Sequence, residues 1–144
     1  MFKKVCIIGC GLIGSSIARG IKKNKLATKV VSSNRSNSTN KKVIRLKIVN
    51  EASSDTKKIV KGSDLIIIAS PLSSYKNIIL KIKSSLKNGA ILTDVGSVKK
   101  NVISLIEKIF PKMYLGFRRI LLLAQKRVDP NQVSQNFLKI DGAF

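Results

Sequence analysis

Residues 9–14 read Gly-Cys-Gly-Leu-Ile-Gly, a G-x-G-x-x-G spacing, and nothing else in the chain restricts its fold as strongly. The motif follows the apolar run Val5-Cys6-Ile7-Ile8 and opens a stretch with Ile13, Ile17 and Ile21 at helical spacing. Strand, glycine turn and helix, in that order, is the context in which this spacing has physical meaning. Gly9 permits the tight turn, Gly11 lets the backbone approach a pyrophosphate, and Gly14 lets the helix pack closely on the sheet. Amide groups at the helix start, with the helix dipole behind them, favour phosphate there. Leu12 and Ile13 sit in the same loop and complete the expected dinucleotide-binding set.

The remaining chain repeats the strand-then-helix alternation. Residues 4–8, 30–31, 65–69 (LIIIA) and 90–93 are short apolar runs of the kind found in parallel strands buried on both faces. Between them, helices are expected over 13–21, 41–49, 55–60, 72–86 and 98–109. Ser38 or Thr39 is the expected cap of the second helix. Residues 32–40 are polar and loop-like, Pro71 stops the third strand, and Asn88-Gly89 makes a turn. The apolar faces predicted for the last two long helices are Ile78, Ile79, Ile82 and Leu86, then Val102, Leu105, Ile106 and Ile109. This pattern implies an α/β fold: a Rossmann-type, doubly wound parallel sheet in a single domain, with right-handed crossovers. Ligands then bind beyond the carboxyl ends of the strands. That singles out residues 9–14, 32–35, 70–74 and 94–99.

At the end of the second strand, enzymes of this fold that take NAD carry an acidic residue for the adenosine ribose. Here the residues are Ser32-Ser33-Asn34-Arg35. Asn34 can still bond a ribose hydroxyl, and Arg35 can pair with a 2′-phosphate, so the balance leans to NADP over NAD. Ser70 and Pro71 are expected to line the cofactor cleft with their backbone; helix capping is an equal alternative for the serines.

Composition narrows the function classes. A chain of 144 residues has room for one core, and 44% hydrophobic with 24% charged residues reads as globular. No apolar run reaches the about 18 residues a membrane span needs, and the basic start lacks a leader's cleavage site; the expected location is the cytoplasm. The formal net charge is +21, which raises nucleic-acid binding as an alternative. The lysines are scattered, however, and two Tyr and five Phe offer few stacking platforms. Lys, Asn, Ile and Ser are abundant together, as in products of A- and T-rich genomes. Cys6 and Cys10 have no His or further Cys to complete a metal site, and both are expected to be core or turn residues. Histidine is absent altogether, which removes the commonest general base.

The segment Asp94-Val95-Gly96-Ser97-Val98-Lys99, taken with GCGLIGSS and SDLIIIASP, resembles the prephenate/arogenate (cyclohexadienyl) dehydrogenases over about residues 1–115. The resemblance implies oxidative decarboxylation of prephenate or arogenate in tyrosine synthesis, with hydride passing to NAD(P)⁺. It also implies that Asp94, Gly96 and Ser97 lie near the nicotinamide, that Ser97 contacts substrate or nicotinamide, and that Lys99 holds the local structure. The family forms homodimers through a C-terminal helical domain and uses a His as catalytic base in a H-P-(I/L)-A-G-T-E-x-S-G segment. Neither appears here.

The tail, residues 116–144, accepts a simple reading against the genetic code. With Phe117-Arg118-Arg119-Ile120 written TTC-CGG-CGC-ATC, the neighbouring frame gives Pro-Ala-His. Synonymous codons for 120–137 continue it as PLAGTEKSGPESGFSEF, those for 138–144 permit FENRWCI, and a family continuation I-L-T written ATT-TTA-ACN would put a stop directly after Phe144. The expectation is an out-of-frame, poorly packed tail on a truncated enzyme that binds cofactor without turnover. A stand-alone dinucleotide-binding module is the alternative reading.

Overall fold

Runs such as Val5-Cys6-Ile7-Ile8 have no polar alternation, so a strand built from them needs cover on both faces. The computed structural model, which describes residues 1–96 and Ile109, provides that cover. The elements are β1 (Phe2–Ile8), α1 (Leu12–Lys23), β2 (Ala27–Ser33), α2 (Asn37–Arg45), β3 (Glu51–Ser53), α3 (Thr56–Val60), β4 (Leu65–Ile68), α4 (Tyr75–Ile82) and β5 (Ile91–Asp94). Short 3₁₀ turns at Leu72–Ser74 and Lys83–Ser85 flank α4. The strands form one five-stranded sheet in the order β3-β2-β1-β4-β5, and every pairing is parallel. This is the expected doubly wound arrangement.

Side chains of the strands alternate between two cores. Cys6, Ile8, Val31, Ile66, Ile68 and Leu92 point to the face covered by α3 and α4, where Ile59, Val60, Ile79 and Ile82 meet them and Ile109 lies half-buried. Val5, Ile7, Val30 and Ile67 point to the other, where Ala18 and Ile21 of α1 and Val43 of α2 are buried. At the amino ends of the central strands, the Asp64 carboxylate accepts the Lys4 amide at 2.8 Å and pairs with the Lys87 ammonium. Burial works against the charged form of Asp64, but these donors outweigh it and hold its pKa below the usual carboxylate range. No helix among the described residues is long and apolar enough to cross a membrane.

Several expectations shift. Of the residues at helical spacing in α1, Ile21 is buried and Ile17 packs half-buried against the core beside Gly14 and Ala18, whereas Ile13 is exposed. α2 begins four residues earlier than residue 41. Its cap is Ser36, whose hydroxyl accepts the Thr39 amide, in place of Ser38 or Thr39. It ends before Lys47, which has φ 52°, so Ile48 and Val49 are buried beyond the helix rather than within it. The edge strand β3, Glu-Ala-Ser, carries no apolar run and was not expected. The helix expected over 72–86 is α-helical only through Tyr75–Ile82. Val102, Leu105 and Ile106, Ser97, Lys99 and the tail 116–144 lie outside the described residues.

Candidate functional site

Parallel pairing sets the ends of the strands level. Ile8 is in register with Ser33 of β2 and Ile68 of β4, Ile68 with Asp94 of β5, and Ser33 with Ser53 of β3. The loops at residues 9–14, 34–36, 69–74 and 95–96 therefore leave the sheet along one line, at its carboxyl edge. The sequence-predicted residues that are described all gather there.

The glycine loop is built from backbone contacts. Gly9 has φ 95°, a conformation that suits glycine. A Cβ on it would also meet the Ser70 hydroxyl at 2.5 Å and the Ala69 carbonyl at 2.7 Å. Its amide donates to the Ser33 carbonyl at 2.9 Å, tying the turn to β2. A Cβ on Gly14 would run into the Gly9 carbonyl, so α1 comes as close to the turn as backbone allows. Gly11 is different: nothing lies within 4 Å of where its Cβ would stand.

The start of α1 is left bare. Gly11 is its N-cap and has no side chain to bond the helix, and no acidic residue lies in the first turn. The first bond of the helix runs from the Ser15 amide to the Gly11 carbonyl at 2.9 Å, so the amides of Leu12, Ile13 and Gly14 have no intrahelical acceptor. The last turn carries Lys22 and Lys23, which suit the negative end of the dipole. Leu12 is 91% exposed and Ile13 57%, apolar side chains standing beside an open, amide-lined cradle. A diphosphate fits this cradle: donors are unclaimed, the space beside Gly11 is open, and no carboxylate competes.

At the end of β2 the structure departs from a free ribose ligand. Asn34 is buried, at 7% exposure, and its amide is engaged inward. The Asn34 side-chain oxygen accepts the Cys10 amide at 2.6 Å, and its nitrogen donates to Asn40 Oδ1 at 2.8 Å and Ser32 Oγ at 3.2 Å. Arg35, the next residue, is exposed at the rim. Asn40 is a residue that sequence reasoning assigned to a loop; its one signal was a polar residue three positions before Val43 on an amphipathic stretch.

Ser70 donates from its hydroxyl to the Ile8 carbonyl at 3.1 Å, and Pro71 is exposed beyond it. At the end of β5, Asp94 Oδ2 accepts the Gly96 amide at 2.7 Å and the Tyr75 hydroxyl at 3.2 Å. Tyr75, at the first position of α4, is 1% exposed, and its hydroxyl also lies 3.4 Å from the Ile68 carbonyl. Burial, then the Asp94 charge and hydrogen bond, push the Tyr75 phenol up to about 12, against the opposing Gly96 amide. Tyr75 therefore stays protonated and holds the ends of β4 and β5 together.

Cys6 and Cys10 are both free and buried. Burial raises the Cys6 thiol to about 12, against the Lys4 charge. Burial raises Cys10 as well, with the Ser15 and Ser32 hydroxyls pulling the other way. Neither is a ready nucleophile. A hollow lined by Lys57, Lys58, Lys61 and Lys87, with Asp55 and Ser84, shares no residue with these loops.

The profile of the family described as prephenate dehydrogenase, nucleotide-binding domain, matches residues 17–116. The prephenate dehydrogenase of Lactococcus lactis is 35% identical over 109 residues, covering 75% of this chain and 30% of that protein. The cyclohexadienyl dehydrogenase of Zymomonas mobilis is 30% identical over 111 residues, covering 77% of this chain and 38% of that protein. The chain thus spans about a third of the length of the curated relatives it matches. Among solved structures, A. aeolicus prephenate dehydrogenase in complex with hydroxyphenyl propionate and NAD⁺ superposes with TM-score 0.70 at 24% identity, over 78% of this chain and 40% of that one. Synechocystis arogenate dehydrogenase gives TM-score 0.69 at 26% identity, over 74% and 37%.

Proposed function

Because this chain belongs to the prephenate dehydrogenase nucleotide-binding domain family, we propose that its carboxyl-edge loops hold a nicotinamide dinucleotide for the oxidative decarboxylation of prephenate or arogenate. The observation that carries this is the bare start of α1: unclaimed amides, no acid in the first turn, and, of the three loop glycines, open space at Gly11 while Gly9 and Gly14 are closed in. When bound, the coenzyme supplies the acceptor for a hydride. The chain's own part is to bind and orient it. Leu12–Gly14 amides grip the diphosphate, Gly9 and Ser70 keep the turn against β1, and Tyr75 and Asp94 fix the loop that continues into Ser97, the residue we assign to the nicotinamide or substrate.

We assign NADP over NAD. Arg35 is an exposed cation at the β2 rim, and residues 32–36 contain no carboxylate to bond a ribose diol or repel a 2′-phosphate. Glu51, at the start of β3, is held by Lys29 at 2.6 Å. With no histidine in the 144 residues, this stretch is assigned coenzyme binding in the cytoplasm and no turnover alone.

Titrating the 144-residue chain with each coenzyme tests the reading. NADP⁺ should bind more tightly than NAD⁺, and Arg35→Ala should weaken NADP⁺ about tenfold while leaving NAD⁺ within twofold, the scale of one charge-assisted phosphate contact. Failure to bind either coenzyme, with the sheet intact, overturns the site. Tighter NAD⁺ binding, or no effect of Arg35, overturns the coenzyme choice.

A further inference from the structure

A polar residue facing inward from a helix needs a reason, because burying an amide without partners costs several times what one hydrogen bond returns. Asn40 is such a residue: it lies within α2 and is 6% exposed. Its reason is Asn34. Asn40 Oδ1 accepts from Asn34 Nδ2 at 2.8 Å, and Asn40 Nδ2 donates to the Asn34 carbonyl at 3.2 Å. Asn34 in turn accepts the Cys10 amide at 2.6 Å.

The direction of this chain of bonds is forced. The Cys10 amide can only donate, so Asn34 must present its oxygen to it and its nitrogen to Asn40. Asn40 must then present oxygen to that nitrogen, which leaves its own nitrogen for the Asn34 carbonyl. Reversing either amide would bring donor against donor or acceptor against acceptor. Asn34 Nδ2 also donates to the Ser32 hydroxyl at 3.2 Å, and the Asn34 backbone amide is tied to the Ser53 carbonyl of β3 at 3.3 Å.

Cys10 is the peptide between Gly9 and Gly11, so its aim decides where the amides that follow it point. We propose that Asn34 and Asn40 form a clamp that sets the glycine loop, and that Asn40 is a positioning residue for the coenzyme although it stands a layer behind it. The proposal rests on the dinucleotide reading of this site. It assigns α2 a task beyond covering the sheet: its docking is transmitted, through two side-chain amides, to the phosphate-binding backbone. It also gives Asn34 a role different from a direct ribose contact.

The test combines coenzyme titration with amide hydrogen exchange on the 144-residue chain and its Asn34→Ala, Asn40→Ala and double variants. Asn40→Ala should raise the Kd for NADP⁺ about tenfold, the effect of losing one positioned hydrogen bond. It should speed exchange at the Cys10 amide while Val5 to Ile7 of β1 remain slow. In the Asn34→Ala background, Asn40→Ala should change the Kd by less than twofold, because its effect passes only through Asn34. An Asn40→Ala chain with intact β1 protection, unchanged Kd and unchanged Cys10 exchange overturns the clamp; so do additive effects in the double variant. If Asn40→Ala does not fold, Asn40→Ser gives the same reading with a smaller loss. Should the unaltered chain bind neither coenzyme, the dinucleotide reading falls, and Cys10 exchange alone decides the clamp: faster in Asn40→Ala supports it, unchanged overturns it.

Discussion

Gly11 and Gly14 differ in what a methyl group would meet, and the difference separates folding from binding. A Cβ on Gly14 collides with the Gly9 carbonyl, while one on Gly11 meets nothing within 4 Å. Gly14→Ala should therefore destabilise the chain by about 1–3 kcal/mol, as an overpacked site does, and weaken coenzyme binding with it. Gly11→Ala should leave the unfolding midpoint in urea nearly unchanged. It should still raise the Kd for NADP⁺ at least about tenfold, because the methyl fills the space the diphosphate takes. Equal losses of stability in the two variants would contradict this division. Both glycines were legible from spacing alone, since the backbone reason for each travels with the motif. The role of Asn34 was not: its partners are Cys10, 24 positions earlier, and Asn40, on a helix whose start the sequence misplaced.

Elements meet the site through their ends. α4 does so at Tyr75, whose hydroxyl reaches Asp94 of β5 and lies near the end of β4. Its phenol is pushed from 10.0 to about 12 by burial first and by Asp94 second. Between those values the folded chain keeps the proton and the unfolded chain releases it, so rising pH favours unfolding across that window. The stabilising contribution is whole below about pH 10 and fades toward 12. Tyr75→Phe should cost about 1 kcal/mol at neutral pH and flatten the alkaline fall, so that the gap to the unaltered chain narrows between pH 10 and 12. Urea titrations of both chains across that range check it; parallel alkaline limbs would refute the assignment. At this scale, strands made of apolar runs were readable because a doubly buried strand admits little else. β3 was not, since an edge strand of Glu-Ala-Ser has no such requirement and owes its place to the pairing of Val31 with Glu51 and Ser33 with Ser53.

For the whole molecule, binding to the folded state alone must raise stability. NADP⁺ at about a hundred times its Kd should add about 2.7 kcal/mol, moving the thermal midpoint by about 5–10 °C for a chain of this size. A net charge of +21 draws an anionic coenzyme, so the Kd should rise with ionic strength. A thermal midpoint indifferent to both coenzymes would remove the site. What the sequence by itself determined is the alternation of the four apolar strands with helices, the glycine turn and the edge of the sheet on which its loops gather. Those follow from local rules: apolar runs and backbone freedom at glycine. Only the tertiary structure decided which polar side chains meet. Asn34, Asn40 and Cys10 come together because a parallel sheet sets Ser33 level with Ile8 and a helix seats Asn40 beneath the loop. Donor and acceptor pairing across that distance leaves no periodic trace in a chain.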